Sequence, residues 1–181
     1  SIEKNGMQIY KEEAGAGQNE SEGAVIHRYS LDEIWKYVTE VPEEEIGFIR
    51  EAFSMNMDLL EEGLASGRTV IAGRLLQENG GKMISEDPLK TAQLLCNGAI
   101  EARVLGFGRP AMSITGSGAH GIIATMPLYA WYRVNQGELK EEVLLRATAL
   151  SYLITMYIKE YSGKLSAFCG CGIAAGTGMA C

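Results

Sequence analysis

The sequence predicts a mainly helical domain of several helices with a small β element at its N-terminus. From Ser30 onward, apolar residues recur at helical spacing, and several segments begin with residues typical of helix caps. Before Ser30, two short runs rich in β-branched and aromatic residues flank a polar loop, which is typical of strands. The chain has 181 residues, of which 46% are hydrophobic, so it is long enough to bury a core.

The predicted β element and its flexible loop occupy residues 1–29. Its strands lie in MQIYKEE and GAVIHRY, and the loop AGAGQNESE joins them. A helical domain of catalytic type is expected over residues 30–181. Because the chain starts without Met and ends inside an apolar, glycine-rich segment, we expect this domain to be truncated at both ends of a longer parent protein.

The first two helices are predicted from their start and stop signals. SLDE is a capping box, in which Ser30 and Glu33 satisfy backbone amides of the first turn. The second helix is predicted to begin at Pro42, because proline suits a first helical position, and the acidic run EEE follows at the positive end of the helix dipole. Gly67 marks its expected end.

Three further helices and a small-residue segment complete the predicted domain. The third helix runs from Pro88 to Gly106, and the fourth begins in or after a glycine loop and contains Pro127, where a kink or break is expected. The fifth, ELKEEVLLRATALSYLITMYIKEY, ends near Gly163. Because LSAFCGCGIAAGTGMAC is built almost wholly of small residues, we expect it to be buried against another helix.

Charge and hydropathy exclude several classes of protein. The net charge of -7 argues against nucleic acid as a partner, since phosphate binding needs clustered Lys and Arg. Every apolar run in the sequence is shorter than the length of about 18 residues that a membrane span requires. No apolar signal-peptide region opens the chain, so a cytoplasmic location is expected. The sequence does not distinguish a monomer from a homodimer.

The stretch ITGSGAHGII carries the spelling G-x-G-x-x-G at Gly116, Gly118 and Gly121. A dinucleotide-binding fold also needs an acidic residue that closes a strand about 20 residues further on. Glu138 and Glu141 instead open a helix, so this alternative is disfavoured. Exposed amides at such a loop bind a carboxylate as readily as a phosphate. The plainer alternative is a tight helix connection in which glycine only relieves crowding.

Other residues of this loop, and the cysteines, carry reactive groups. Thr115 and Ser117 supply hydroxyls, and His120 supplies an imidazole that titrates near neutral pH. Cys96 stands alone, whereas the other three cysteines, at positions 169, 171 and 181, crowd the C-terminus. Without a secretory signal, clustered cysteines indicate a metal, redox or catalytic role more than a disulfide scaffold.

Three segments resemble motifs of one known family. GSGAHGIIATMPL resembles Gly-Ser-Gly-Asn-Gln-Gly-Ile-x-Ala-Thr-x-Pro, and AIEARVLG resembles Ser-Asp-Ala-Arg-Met-x-Gly. GKLSAFCGCGIAAGTGMAC resembles Gly-Arg-Leu-Ser-x-x-Cys-Gly-Cys-x-x-Ala-x-Gly, and it is the most specific of the three. Together they resemble the serine dehydratase α-chain-like family, which includes iron–sulfur L-cysteine desulfidases. The resemblance covers roughly residues 50–181. It departs from the family at Ala119 and His120, where the family has Asn and Gln.

The resemblance implies β-elimination from L-serine or L-cysteine, which yields pyruvate and ammonia and releases water or sulfide. It implies an oxygen-sensitive [4Fe–4S] cluster as cofactor, whose open iron acts as a Lewis acid. This chain alone, as a central-to-C-terminal fragment, is expected to be inactive and to lack the cluster, because other ligands lie outside it. The alternatives are a non-catalytic amino-acid or carboxylate-binding module and, less favoured, a dinucleotide-binding oxidoreductase.

Site residues follow from the matched motifs. The expected cluster ligand is Cys169 or Cys171, with Cys181 disfavoured. Ser117 and His120 are the expected catalytic residues. His120 does not match the family motif, and it is the candidate base because its imidazole titrates near neutral pH. The alternative is a structural histidine that hydrogen-bonds the loop backbone. The expected substrate-binding residues are Thr115, Gly116, Ser117, Gly118 and Arg103. Glu101 and Arg103 match the family's acidic residue and arginine, with a structural ion pair between them as the alternative.

Overall fold

The computed structural model describes residues 2–4, 7–10, 24–163 and 168–181, and these residues form a mainly helical structure, as predicted. Its helices, in chain order, are α1 (Leu31–Glu40), α2 (Glu43–Ile46), α3 (Arg50–Ala65), α4 (Ile71–Glu78), α5 (Pro88–Val104), α6 (Gly118–Val134), α7 (Glu141–Ser162) and α8 (Thr177–Ala180). A 3-10 turn (Gly47–Ile49) separates α2 from α3, and a π-helical turn (Cys171–Gly176) leads into α8.

The N-terminal β element pairs β1 (Ile2–Lys4) antiparallel with β2 (Met7–Tyr10). The strand predicted in MQIYKEE is therefore present at Met7–Tyr10, but the strand predicted in GAVIHRY is wrong. Val25–Arg28 is a 3-10 helix, because His27 bonds the carbonyl of Tyr157 (2.9 Å) and stacks on Tyr161, so the segment packs on α7 instead of pairing as a strand. The predicted connecting loop lies outside the described residues.

The first two predicted helices form with one difference. Ser30 and Glu33 make the capping box, with Ser30 Oγ accepting from the Glu33 amide (3.2 Å) and Glu33 accepting from the Ser30 amide (2.8 Å). The second segment is divided by the 3-10 turn, and Pro42 precedes its first helical residue. It ends as expected near Gly67, whose φ of 68° lies in the left-handed region that glycine tolerates.

Helix α4 has no counterpart in the sequence prediction, because a residue distant in sequence supplies its cap. The Glu101 carboxylate on α5 accepts from the amides of Val70 (2.9 Å), Ile71 (3.0 Å) and Ala72 (2.8 Å). Burial raises the pKa of Glu101, but the three amide hydrogen bonds outweigh burial and lower it overall. The alternative of a structural ion pair between Glu101 and Arg103 is not found, because the Glu101 carboxylate binds these amides and residues two apart on a helix do not face each other.

Helix α6 crosses the domain at close range to its neighbours. A Cβ at Gly121 would lie 1.9 Å from the Met112 carbonyl oxygen, so α6 approaches this backbone directly. The helix continues through Pro127, so of the kink or break expected there the break is absent. On one side it packs into a core with Leu60 and Leu95, and on the other it faces α7.

The C-terminal small-residue segment packs on α7, as its composition predicts. Ala174 and Ala175 are buried, and a Cβ at Gly178 would lie 2.4 Å from the Ser151 carbonyl oxygen. This contact fixes the segment that carries the cysteines beside the first turn of α6. The described part of the chain contains no parallel sheet, which removes the βαβ unit of the dinucleotide alternative. Nor does any described helix combine the length and apolar character needed to cross a bilayer.

We expect Gly121→Ala to destabilise the fold by about 3 kcal/mol or more, because the added methyl group meets a backbone carbonyl that cannot rotate away. Gly73→Ala in α4 is the matched control, since nothing lies within 4 Å of its added Cβ. It is expected to stabilise by about 0.5–1 kcal/mol. Urea unfolding measures both, and equal stabilities for the two variants would contradict the packing described.

Glu101→Gln is expected to lower the free energy of unfolding by about 1–2 kcal/mol, because the charged cap of α4 is lost. Since the folded pKa of Glu101 lies below its ordinary 4.5, its stabilisation is complete above that pH and is lost as pH falls through the folded pKa. Denaturant unfolding across acidic pH checks this. The exposed Glu61→Gln should change stability by less than about 0.5 kcal/mol.

Candidate functional site

A two-residue turn precedes α6 and places its reactive side chains. Ile114 and Ser117 pair through both backbone bonds, Ile114 N to Ser117 O at 3.2 Å and Ser117 N to Ile114 O at 2.9 Å. Between them, Thr115 and Gly116 have φ values of 55° and 76°. Positive φ at both central residues is the type I′ geometry, which is easy for glycine and unusual for a β-branched residue.

The first turn of α6 carries features that suit an anion. Ser117 is the N-cap, and its hydroxyl accepts from the His120 amide at 3.4 Å. The Arg103 side chain lies across this turn because Gly118 has no side chain; a Cβ there would be 2.4 Å from Arg103 Nε. The exposed guanidinium and the positive end of the helix dipole therefore lie at the same place.

The His120 imidazole joins the glycine loop to the cysteine segment. It is 5% exposed, and its Nδ1 lies 3.0 Å from Thr115 Oγ1. Its other edge lies against Gly170, where an added Cβ would be 2.6 Å from Nε2. Burial, and then the charge of Lys159, lowers the pKa of His120, which favours the neutral imidazole. The sequence-predicted loop and cysteines thus meet at this ring.

The two cysteines that flank Gly170 differ in ionisation. Hydrogen bonds from the backbone and thiol of Cys171 and from the Gly172 backbone, with the charge of Lys159, lower the pKa of the exposed Cys169 thiol. Burial, followed by the Cys169 thiol and its charge, raises the pKa of Cys171, and Arg103 opposes this. Cys169 is therefore the thiol that ionises first. A thiolate is the form in which cysteine binds metals.

The other two cysteines differ from this pair in their surroundings. Burial, with the charge of Cys171, raises the pKa of Cys96 to about 12, so Cys96 is a largely buried thiol on the side of Cys171. Cys181 is exposed at the end of α8. Among the described residues, no group of three or more His, Cys, Asp or Glu side chains is arranged to hold a metal ion.

Two contributors to the site were missed from the sequence. Lys159 is an ordinary basic residue in the last turn of α7, yet its charge acts on both His120 and Cys169. Gly170 reads as one more small residue in a glycine-rich run. The one signal in the sequence that singled out Gly170 is its position between Cys169 and Cys171. The roles expected for Thr115 and for residues 116–118 remain predictions.

A separate groove of about 850 Å³ lies along α7. It is on the side of α7 away from Ser151, which contacts Gly178 of the C-terminal segment. It is lined by apolar and aromatic side chains of the 3-10 helix and α1, among them Val25, Ile34 and Tyr37, and by Leu153 and Met156 of α7. None of the residues predicted for the site lines it. The groove therefore adds nothing to the chemistry expected at the glycine loop.

Comparisons with known proteins agree with the motifs. The family model described as serine dehydratase alpha chain matches residues 7–181. A UPF0597 protein of Clostridium botulinum (strain Langeland) is 45% identical over 98% of this chain and 42% of its own length. A UPF0597 protein of Clostridium tetani is 36% identical over 98% of this chain and 40% of its own length. A UPF0597 protein of Alkaliphilus oremlandii is 38% identical over 82% of this chain and 34% of its own length. The chain thus spans about two fifths of the length of these relatives or less. No solved structure matches it.

We expect Gly170→Ala to destabilise the chain by about 1–3 kcal/mol, because the new methyl group occupies the position of the imidazole edge. Gly172→Ala is the matched control two residues away, with nothing within 4 Å of its added Cβ. Its stability should stay within about 1 kcal/mol of the parent chain. Both are measured by urea unfolding. A Gly170→Ala chain as stable as the control would show that His120 does not pack here.

Proposed function

Because the chain belongs to the serine dehydratase alpha chain family, a family of lyase type, we propose that it is part of an iron–sulfur-dependent lyase. The proposed reaction is β-elimination from L-serine or L-cysteine to pyruvate and ammonia, with water or sulfide released. The observation that carries the proposal is the contact of His120 with Gly170. It brings a neutral base within reach of the two cysteines that the family motif marks.

The substrate carboxylate is proposed to bind at the first turn of α6. Arg103 is a cation that lies over Gly118, and the helix N-terminus adds its partial positive charge. A guanidinium binds a carboxylate through two parallel hydrogen bonds and so fixes its orientation. The Ser117 hydroxyl, on the same turn, is within the same small region. A small amino acid bound here has its Cα near the imidazole.

The thiols of Cys169 and Cys171 fit part of the donor set of a cluster. Both are free, they hydrogen-bond each other, and Cys169 is biased towards the thiolate. A [4Fe–4S] cluster, when bound, supplies a Lewis-acidic iron for the departing hydroxyl or thiol group. The remaining ligands would come from outside the described residues. His120 is the proposed group that removes the Cα proton, and Arg103 holds the carboxylate meanwhile.

A second candidate is a carboxylate-binding module without catalysis. Arg103 and the α6 N-terminus form the anion-binding features without any help from the cysteines. In that case the cysteines are structural, and the chain binds an amino acid without turning it over. Binding and turnover therefore have to be measured separately.

Anaerobic reconstitution of the full-length parent with iron and sulfide tests the proposal. We expect a broad visible absorbance that air bleaches, and turnover of L-serine or L-cysteine. Cys169→Ser and Cys171→Ser each remove one candidate ligand, and at least one is expected to lose the absorbance. Cys181→Ser, at the exposed end of α8, is the control that should keep it. Amino-acid binding without any absorbance would favour the binding module instead.

His120→Gln in the reconstituted parent is expected to lower turnover by at least ~10²-fold, because a general base contributes about that much. Gln is the informative replacement, since the related signature has an amide at this position. Near-normal turnover by His120→Gln would place the base outside the glycine loop.

A further inference from the structure

The hydroxyl of Thr115 has two polar neighbours and only one hydrogen. Its Oγ1 lies 2.6 Å from the Ile114 carbonyl oxygen and 3.0 Å from His120 Nδ1. A carbonyl oxygen accepts but never donates, so the hydroxyl hydrogen must point to Ile114. The contact with His120 is then a hydrogen bond only if Nδ1 carries the proton and donates it to Oγ1.

We propose that Thr115 is a positioning residue that fixes His120 in its Nδ1–H tautomer and leaves the Nε2 lone pair facing the Cys169–Cys171 segment. This role differs from the substrate contact expected for Thr115 from the sequence. The tautomer follows from the contacts alone, whereas the use of Nε2 as the base rests on the proposed function.

The opposite edge of the ring agrees with this assignment. Nε2 lies against Gly170 and has no hydrogen-bond partner among the described residues. The ring as a whole is almost fully buried, so few groups can approach Nε2. Lys159 is the charged group that acts on the ring, and a nearby cation favours a neutral imidazole. A neutral imidazole has one proton, so its location decides which nitrogen accepts.

The backbone of Thr115 supports a specific role for its hydroxyl. With φ at 55°, this β-branched residue occupies the left-handed region, which costs about 1–2 kcal/mol. Gly, Asn or Asp would occupy this turn position more easily. The Thr115 hydroxyl can donate to the Ile114 carbonyl and accept from an imidazole N–H through a single oxygen atom. The strained residue is therefore also the one that sets the ring.

The tautomer matters for the proton transfer. Nε2 would form a bond to the Cα proton, the Cα–H electron pair would become the Cα–Cβ double bond, and the Cβ–O or Cβ–S bond would break with its electrons leaving on oxygen or sulfur. The resulting imidazolium keeps its Nδ1–H donated to Thr115 Oγ1, so no hydrogen bond has to be broken. In the Nε2–H tautomer, the nitrogen facing the cysteine segment could not accept a proton.

Nitrogen-15 NMR of histidine-labelled chain tests the inference directly, because the chain has only two histidines. His27 is an internal reference of opposite tautomer, since its Nε2 donates to the Tyr157 carbonyl at 2.9 Å. In alkaline buffer, where imidazoles are neutral, two-bond proton–nitrogen spectra identify the protonated nitrogen of each ring. We expect Nδ1–H for His120 and Nε2–H for His27. His120 in the Nε2–H form would overturn the inference.

Two variants assign the effect to the hydroxyl. Thr115→Val keeps the β-branched shape and the unfavourable φ but loses Oγ1, so His120 should shift towards the Nε2–H tautomer. Thr115→Ser keeps the hydroxyl and should retain Nδ1–H. Unchanged His27 signals report an intact fold. A His120 ring that stays fully Nδ1–H in Thr115→Val would overturn the role of Thr115, and if that variant does not fold, loss of Nδ1–H in Thr115→Ser would do the same.

Turnover by the reconstituted parent separates this inference from the proposed function. Thr115→Val is expected to lower kcat by at least ~10-fold with little change in KM, and Thr115→Ser should restore it. If the NMR result holds while kcat is unchanged, His120 is not the base, yet the tautomer assignment stands. If kcat falls although the tautomer is Nε2–H in the parent chain, the inference fails and the lyase proposal survives.

Discussion

Close packing around the first turn of α6 is the constraint on which the candidate site depends. Three backbone positions there have neighbours where a side chain would be. Arg103 lies against Gly118, the Met112 carbonyl against Gly121, and the His120 ring against Gly170. Each approach brings a polar group to within contact of another element. Arg103, His120 and the Cys169–Cys171 segment therefore lie close together because three glycines lack side chains, more than through direct polar bonds between these groups.

Local signals in the sequence were enough to predict most of the helices. The capping box at Ser30 and the left-handed Gly67 are read from adjacent residues, and both are found. Helix α4 could not be found this way, because the residue that caps it, Glu101, is not adjacent in sequence but lies on the next helix, α5. The strand expected in GAVIHRY failed for a related reason: His27 and its neighbours bind α7, and tertiary contacts override a weak β propensity.

The sequence marked a set of candidate site residues, but it did not indicate how they are arranged. Motifs marked His120, Arg103 and the cysteines, and the family match covers all of them. The spacing of the motifs did not indicate that Arg103 would lie over Gly118. Nor did it indicate that the charge of Lys159 would help to lower the pKa of His120. Such contacts join residues far apart in sequence, and they depend on how α5, α6 and α7 pack.

The glycine contacts also bear on how this site can change over generations. Glycine is the only residue without a Cβ, so any amino-acid replacement at Gly118, Gly121 or Gly170 adds an atom where another group already lies. At Gly121 the opposing group is a backbone carbonyl, so a replacement is tolerated only together with a change in the segment around Met112. At Gly118 and Gly170 the opposing groups are the Arg103 and His120 side chains, so a replacement there moves a side chain of the candidate site even where the fold survives.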